Sequence, residues 1–258
     1  SQDCAFCAQS GHNQAKAPVH ELLPREELVR SAIAAAEAGA VNVSLVSSGR
    51  CPGQRELETI CEAVHEIRQR TGVSVCASLG TLSLETACQL RLAGVETYHH
   101  NLETAPSYYP EICSTHPQLE RERTVRVARE AGMRICSGGI FGLGESWPQR
   151  VELARTLRAL NADSIPINFL NPVPGTPLEN RQPLDPTEAL RCVALMRCIN
   201  PDRDIILCGG RERTLRSLQS QIFPAGANGL IVGDYLTTVG DAAESDMAMI
   251  RDSCLEPL

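Results

Sequence analysis

Two thiols open the chain. Cys4-Ala5-Phe6-Cys7 is a C-x-x-C run inside the first ten residues. Such a pair can be a redox dithiol, half of a zinc site, or part of an iron–sulfur loop. A redox dithiol belongs at a helix N-terminus, and no helical pattern follows for many residues. A four-ligand zinc site calls for a second close pair, and the sequence has none. An iron–sulfur loop is left, because thiolates hold such clusters. Three further cysteines share a local setting: Cys76 is fourth in Val73-Ser74-Val75-Cys76, Cys136 in Met133-Arg134-Ile135-Cys136 and Cys208 in Ile205-Ile206-Leu207-Cys208. Each ends a short β-like run.

The other candidates are less specific. Gly138-x-Ile140-x-Gly142-x-x-Glu145 follows a strand pattern. Its glycines let backbone approach a ligand, or serve a tight strand-to-helix turn. Arg121 lies on a helical stretch, where a solvated arginine is the ordinary reading. His99 and His100 are adjacent, so on a strand they point to opposite faces and do not share one ion; His100 is expected to be packed or hydrogen-bonded. Cys51, Cys61, Cys88, Cys113, Cys192, Cys198 and Cys254 lie on loops or helices and read as structural, with Cys51 a fallback fourth ligand near a strand end.

The elements that position these residues alternate. Strands are expected at 41–48, 73–79, 96–101, 133–140, 164–170, 205–209 and 229–232. Helices are expected at 25–38, 56–70, 84–93, 118–131, 147–160, 186–199 and 213–222. Gly39, Gly72, Gly94 and Gly132 sit just past helix ends, as C-caps do. The first five strands start about 30 residues apart, the size of a βαβ unit. The order implies a parallel sheet. No dinucleotide-type glycine loop follows an early strand, so the expected fold is α/β, a (β/α)8 TIM-type barrel of parallel strands with outer helices. Residues 1–258 are expected to be one barrel domain, with 1–20 as a loop and 241–258 as a tail. Helix 25–38 has no strand ahead of it, so the first strand is expected upstream of Ser1. In a barrel, alternate strands feed one interior layer. Cys76, Cys136 and Cys208 fall on alternating strands at similar depth and can meet there; the alternative is three small core hydrophobes.

Composition narrows the class. The 258 residues are 43% hydrophobic and 21% charged, as in an ordinary globular chain. The net charge of −7 and 3% aromatic content argue against nucleic acid as a partner. No apolar run reaches the roughly 18 residues of a membrane helix. Twelve cysteines in a long α/β chain point to reduced thiols in a cytoplasmic protein.

The motifs together resemble a known family. Cys4-x-Phe6-Cys7 is similar to the end of the C-x3-C-x-aromatic-C loop of radical S-adenosylmethionine (SAM) enzymes. Ser1, Gln2 and Asp3 are then the spacers, and the first Cys is expected one residue before Ser1. Seven segments resemble the biotin synthase family in particular, in that family's order. They are Cys7-Ala8-Gln9-Ser10, Ser78-Leu79-Gly80-Thr81-Leu82, Tyr98-His99-His100-Asn101-Leu102-Glu103-Thr104, Cys136 to Glu145, Ile165-Pro166-Ile167-Asn168, Gly175-Thr176-Pro177-Leu178 and Ala225-Gly226-Ala227-Asn228.

The resemblance implies sulfur insertion into dethiobiotin. It implies a [4Fe–4S] cluster with one iron open to SAM, whose cleavage yields a radical that takes hydrogen from unactivated C–H bonds. A second, deeper cluster gives sulfur. By the same resemblance Cys4 and Cys7 are metal ligands, and Phe6, Gly138, Ile140 and Gly142 line SAM. Arg121 meets the SAM carboxylate, where a guanidinium fork is apt. Asn101 and Glu103 match positions that contact SAM and substrate, although the family more often has Asp at the latter. Asn168 matches an Asn on the ureido ring of the substrate. An electron-donor protein such as flavodoxin or ferredoxin, and a homodimer, are also implied.

The chain departs from the family at the second cluster. Well-known members hold a [2Fe–2S] cluster with three Cys and one Arg. Cys76 and Cys136 match, but Ser44 stands at the third Cys position, Ile206 at the Arg position, and His99 where the family often has Asn. Cys208 lies two residues beyond Ile206, on the same strand face. The expected auxiliary set is therefore Cys76, Cys136 and Cys208, and three thiolates suit a cubane-type cluster with one open iron. Two other readings stay open: a different radical SAM enzyme of the same scaffold, of the hydrogenase-maturation or methylornithine-synthase type, and a cluster-free barrel that only binds a ligand.

Overall fold

The computed structural model describes residues 2–17, 20–232 and 241–256; Ser1, the first expected spacer, lies outside them. The elements alternate as expected. They run α1 (Arg25–Glu37), β1 (Asn42–Val46), α2 (Gln54–Arg70), β2 (Ser74–Ser78), α3 (Leu84–Ala93), β3 (Thr97–His99), a 3-10 turn (Tyr109–Glu111), α4 (Gln118–Glu130), β4 (Arg134–Cys136) and β5 (Gly139–Phe141). Then follow α5 (Trp147–Ala159), β6 (Ser164–Phe169), α6 (Pro186–Ile199), β7 (Asp204–Leu207), α7 (Arg211–Leu215), α8 (Ile222–Ala225), β8 (Gly229–Leu230) and α9 (Ala243–Asp252). Every described strand pairing is parallel, in the order β1-β2-β3-β4-β6-β7-β8, with β5 also on β6. This is the expected α/β barrel order; among the described residues no pairing closes β8 onto β1.

Local chemistry sets the boundaries. The Ser83 hydroxyl accepts from Thr86 N at 3.1 Å to start α3, and Gly94 ends it at φ 115°. Asp185 caps α6 by accepting from Thr187 N at 2.9 Å. On α2, Leu57, Ile60, Ala63, Val64 and Ile67 recur at helical spacing and are all buried. Each large apolar side chain among them contributes about 1.5–3 kcal/mol by leaving water.

Strand alternation then divides the chemistry from the core. Val75, Ala77, Tyr98, Ile135, Ile165, Ile167, Ile205 and Leu207 are fully buried and pack with the helices in one apolar core. The residues between them, Cys76, His99, Cys136, Asn168 and Ile206, are only partly buried and belong to the opposite, concave face.

The strand expected at 133–140 is two pieces, β4 and β5, that pair in turn with β6. Pro166 in β6 has no N–H for the ladder. A Cβ at Gly138 would lie 1.9 Å from Pro166 O. The ladder breaks at this close approach, and Gly138 N donates instead to Asn101 Oδ1 at 3.1 Å. The helix expected at 213–222 is likewise broken into α7, a 3-10 helix (Arg216–Gln221) and α8, because Arg216 holds φ 53° and ends α7. The Arg211 guanidinium, fully buried, donates to both oxygens of Asp246 at 2.7 Å and ties α7 to α9 in the tail.

Candidate functional site

The loop of residues 2–16 is pinned over one end of the sheet. The Asp3 carboxylate accepts from Ser114 N (3.0 Å), Ser114 Oγ (2.5 Å), Thr115 N (3.1 Å), Thr115 Oγ1 (2.8 Å) and Cys113 Sγ (3.1 Å). These bonds hold its pKa far below the ordinary carboxylate range, led by the one from Ser114. Asn13 Nδ2 donates to the carbonyls of Cys4 (3.2 Å) and Cys7 (2.8 Å), and Gln14 N donates to Gly175 O at 2.8 Å. The two thiols thus sit on a braced turn rather than a loose end.

Beneath them lies a small apolar cluster of Cys4, Tyr109, Ile112, Cys113, Leu143 and Leu170, against which Phe6, Cys7 and Ile140 pack. Sequence spacing placed Phe6 and Ile140 134 residues apart; the fold brings both to one patch. Burial pushes the Cys4 thiol up to about 12, with Arg121 acting the other way.

Arg121 is not a solvated helix arginine. It is buried on α4. Its Nε donates to Tyr109 Oη at 2.8 Å, and its Nη1 to Asn101 O at 3.1 Å and Glu103 Oε1 at 3.2 Å. The Nη2 contacts, to Gln2 Oε1 at 3.4 Å and Cys4 Sγ at 3.8 Å, are the longest. Asn101 and Glu103 stand just past β3, in the loop at the strand's C-terminal end. Glu103 holds φ 68°, and its carbonyl accepts from Ile140 N at 2.7 Å. Burial raises the Glu103 pKa, partly opposed by Arg121.

The glycine run is explained by protein neighbours. Gly138 meets Pro166, Gly139 would meet Glu103 O at 2.6 Å, and Gly142 holds φ 93°. Glu145 braces the same loop: Oε1 accepts from Gly142 N at 3.0 Å and Arg150 Nε at 2.8 Å, and Oε2 from Gly144 N at 3.1 Å. Asn168, near the end of β6, accepts on Oδ1 from Gly209 N at 3.1 Å, and its Nδ2 donates to Gly139 O at 3.4 Å.

Cys76 and Cys136 lie on the concave face, and Cys208 directly follows β7. Cys76 pairs in register with Ser44, whose hydroxyl hydrogen-bonds its sulfur, as does the His99 backbone N–H. Burial raises the Cys76 thiol, pushes Cys136 up to about 12 and raises Cys208 further. A charge on Cys76 adds to the rise at Cys136, and one on Cys136 adds to that at Cys208, so Cys136 neighbours each of the other two. Ile206 contributes an apolar side chain beside Gly229. Among the described residues no three His, Cys, Asp or Glu side chains close tightly enough for a single metal ion. A cluster of several irons keeps its ligands farther apart. Buried thiols whose pKa values burial raises suit a group that brings its own positive charge and takes them as thiolates.

His100 is buried and stacked on Tyr98, with ring centroids 6.4 Å apart, as its packed reading required. Sequence reasoning missed Asn13, Tyr109 and His116, and read Cys113 as structural. Tyr109 Oη and His116 Nε2 are 2.7 Å apart, and Cys113 Sγ lies 3.3 Å from His116 Nδ1.

Residues 1–157 match the Radical SAM superfamily, and residues 166–256 match the Biotin and Thiamin Synthesis associated domain. A biotin synthase of Geotalea uraniireducens (strain Rf4) is 53% identical over 252 residues, covering 97% of this chain and 77% of that protein. A biotin synthase of Nitratidesulfovibrio vulgaris (strain DSM 19637 / Miyazaki F) is 52% identical, covering 96% and 71%. Among solved structures, methylornithine synthase superposes with a TM-score of 0.82 at 18% identity, covering all of this chain and 80% of that one. The FeFe-hydrogenase maturase of Carboxydothermus hydrogenoformans gives 0.79 at 22%, covering 97% and 63%. Those two structures show the shared barrel fold.

Proposed function

Because the chain belongs to the biotin synthase family of radical SAM enzymes, we propose that its pinned loop, strand-end residues and concave-face thiols divide the work of inserting sulfur into dethiobiotin. The protein is a radical SAM sulfurtransferase that converts dethiobiotin to biotin with SAM, a [4Fe–4S] cluster and an auxiliary iron–sulfur cluster, [2Fe–2S] in the family at large. When bound, these groups supply hydrogen abstraction from unactivated carbon, which no side chain performs, and the sulfur itself. Of the readings left open by the sequence, relatives at 53% identity carry this one.

The chain's residues bind and orient. Cys4 and Cys7 hold the first cluster on a turn that Asp3 and Asn13 keep rigid. Phe6, Ile140 and the Gly138–Gly142 backbone form the wall for the SAM adenosine. Arg121 presents Nη2 to the SAM carboxylate, its other nitrogens being fixed by Tyr109, Asn101 and Glu103. Asn101 and Glu103 bind SAM, and Asn101 and Asn168 hold dethiobiotin at the C-terminal ends of their strands, where barrel enzymes place their sites. Cys76, Cys136 and Cys208 hold the auxiliary cluster beneath it. The observation that carries this last assignment is placement: Cys76 on β2 and Cys136 on β4 sit on the concave face, and Cys208 directly follows β7, so the three come from alternate positions of one sheet.

Supporting the reading of one barrel domain, a single sheet runs through both family matches. An electron-donor protein of the flavodoxin or ferredoxin class, a homodimer and a cytoplasmic location complete the proposal; no helix among the described residues is long and apolar enough to cross a membrane. The test is direct. The full-length gene product, reconstituted anaerobically and given dethiobiotin, SAM and reductant, forms biotin. Deoxyadenosine without biotin would contradict the assignment.

A further inference from the structure

We propose that His99 is the fourth protein ligand of the auxiliary cluster, completing a set of three thiolates and one imidazole. The inference rests on reading Cys76, Cys136 and Cys208 as that cluster's thiolates. Clusters of two or four irons commonly take four protein ligands, and imidazole replaces thiolate in one known class. Three cysteines leave one ligand to find.

His99 touches two of the three. It is the last residue of β3 and lies opposite Cys136 in the β3–β4 register. Its Nδ1 is 3.2 Å from Cys136 Sγ. Its backbone N–H hydrogen-bonds the Cys76 sulfur. The side chain faces the concave side with the thiols, while Tyr98 and His100 on either side are buried away from it. Ser44 on Cys76 and Ser164 on Cys136 are the other polar side chains that hydrogen-bond these thiols. A serine must lose its proton to bind iron well, whereas a neutral imidazole offers a lone pair as it stands, and imidazole suits iron. Ile206 has nothing to offer a metal. The geometry therefore selects His99 over its neighbours.

The full-length gene product is reconstituted with iron and sulfide and reduced without SAM. Pulsed electron paramagnetic resonance then compares natural-abundance and 15N-histidine protein, for the wild type, His99→Cys and His99→Ala. Iron, sulfide and the auxiliary midpoint potential are measured for each. The wild type is expected to show a nitrogen coupling that changes isotope with the label and vanishes in both variants. His99→Cys keeps its full iron and has a lower potential, because thiolate gives the cluster more negative charge. His99→Ala loses half or more of the auxiliary iron. A wild type without histidine coupling, or a His99→Cys potential equal to wild type, overturns the proposal. Cys76→Ala and Cys136→Ala run alongside: if they lose the second cluster while the His99 variants change nothing, only His99 is wrong. If the cysteine variants keep it, the thiolate set fails and the His99 assignment falls with it.

Discussion

Arg121 and Glu103 form a buried ion pair, Nη1 to Oε1 at 3.2 Å, that fastens α4 to the loop after β3. Burial raises the Glu103 pKa from 4.5 despite the arginine. The folded state therefore holds the proton more tightly than the unfolded chain. The stability this gives is fully present below pH 4.5 and is lost as pH rises through the folded pKa. Glu103→Gln keeps an acceptor for Arg121 and cannot ionise. The stability of the wild type minus that of Glu103→Gln should fall as pH climbs from 4.5 toward neutral, in urea titrations. A difference that grows with pH would contradict the burial argument.

Removing the arginine is different in kind. Arg121→Met leaves Tyr109 Oη, Asn101 O and Glu103 without their donor in a buried place. The expected cost is about 3 kcal/mol or more. Urea unfolding that shifts by less than about 1 kcal/mol would show that these groups find other partners.

Gly138→Ala tests the close approach that splits the fourth sheet position. The added methyl would meet Pro166 O at 1.9 Å, where backbone on both sides must shift. A loss of about 3 kcal/mol is expected, at the upper end of ordinary overpacking. Gly72→Ala, with nothing within 4 Å of the new methyl, should stay within about 0.5 kcal/mol. Equal effects in thermal melts would count against this packing account.

Two cysteines on α6 should differ sharply in reactivity. Cys192 is buried, and burial pushes its thiol up to about 12; Cys198 is exposed. Only the thiolate attacks an alkylating reagent. Pulse alkylation at pH 8, read by mass spectrometry, should label Cys198 and leave Cys192 unmodified until the protein unfolds. Equal labelling would show that the α6 face opens readily.

Asp3 should govern the docking of the cysteine loop. Its pKa is depressed, so its stabilisation is present above the unfolded value of 3.8 and is lost as pH falls through the folded one. At neutral pH Asp3→Asn should speed hydrogen exchange across residues 2–16 roughly tenfold, by loss of charge-assisted bonds to Ser114 and Thr115. Unchanged exchange would place the anchor elsewhere, in Asn13 or Gln14.

Much of this architecture was legible in local pattern. Helices α3 and α6 run where they were expected, at 84–93 and 186–199, and Gly94 closes the first, because a cap acts within one turn. The concave-face cysteines were legible too, since strand alternation is a period of two wherever the strand lies. The break at Ser137-Gly138 was not, because its cause is Pro166, a residue on another strand. Nor was the anchoring of the loop: Asp3 and Ser114 are 111 positions apart, and nothing near either residue announces the other. The family resemblance singled out Arg121, but local pattern alone does not separate it from Arg123, Arg126 and Arg129 as the buried arginine; Tyr109 and Glu103 beside it do. His99 read as a departure from the family pattern and acquired a neighbour only when β3 and β4 paired.

The central claim is that the sulfur of the product leaves a cluster held by Cys76, Cys136 and Cys208. The decisive measurement is a single turnover of full-length protein reconstituted with 34S-sulfide, given unlabelled dethiobiotin and SAM, with the biotin analysed by mass spectrometry. The account predicts 34S in the biotin from the wild type. In each of the three cysteine-to-alanine variants biotin is lost while SAM cleavage continues. Labelled biotin from Cys208→Ala, or unlabelled biotin from the wild type, would contradict it.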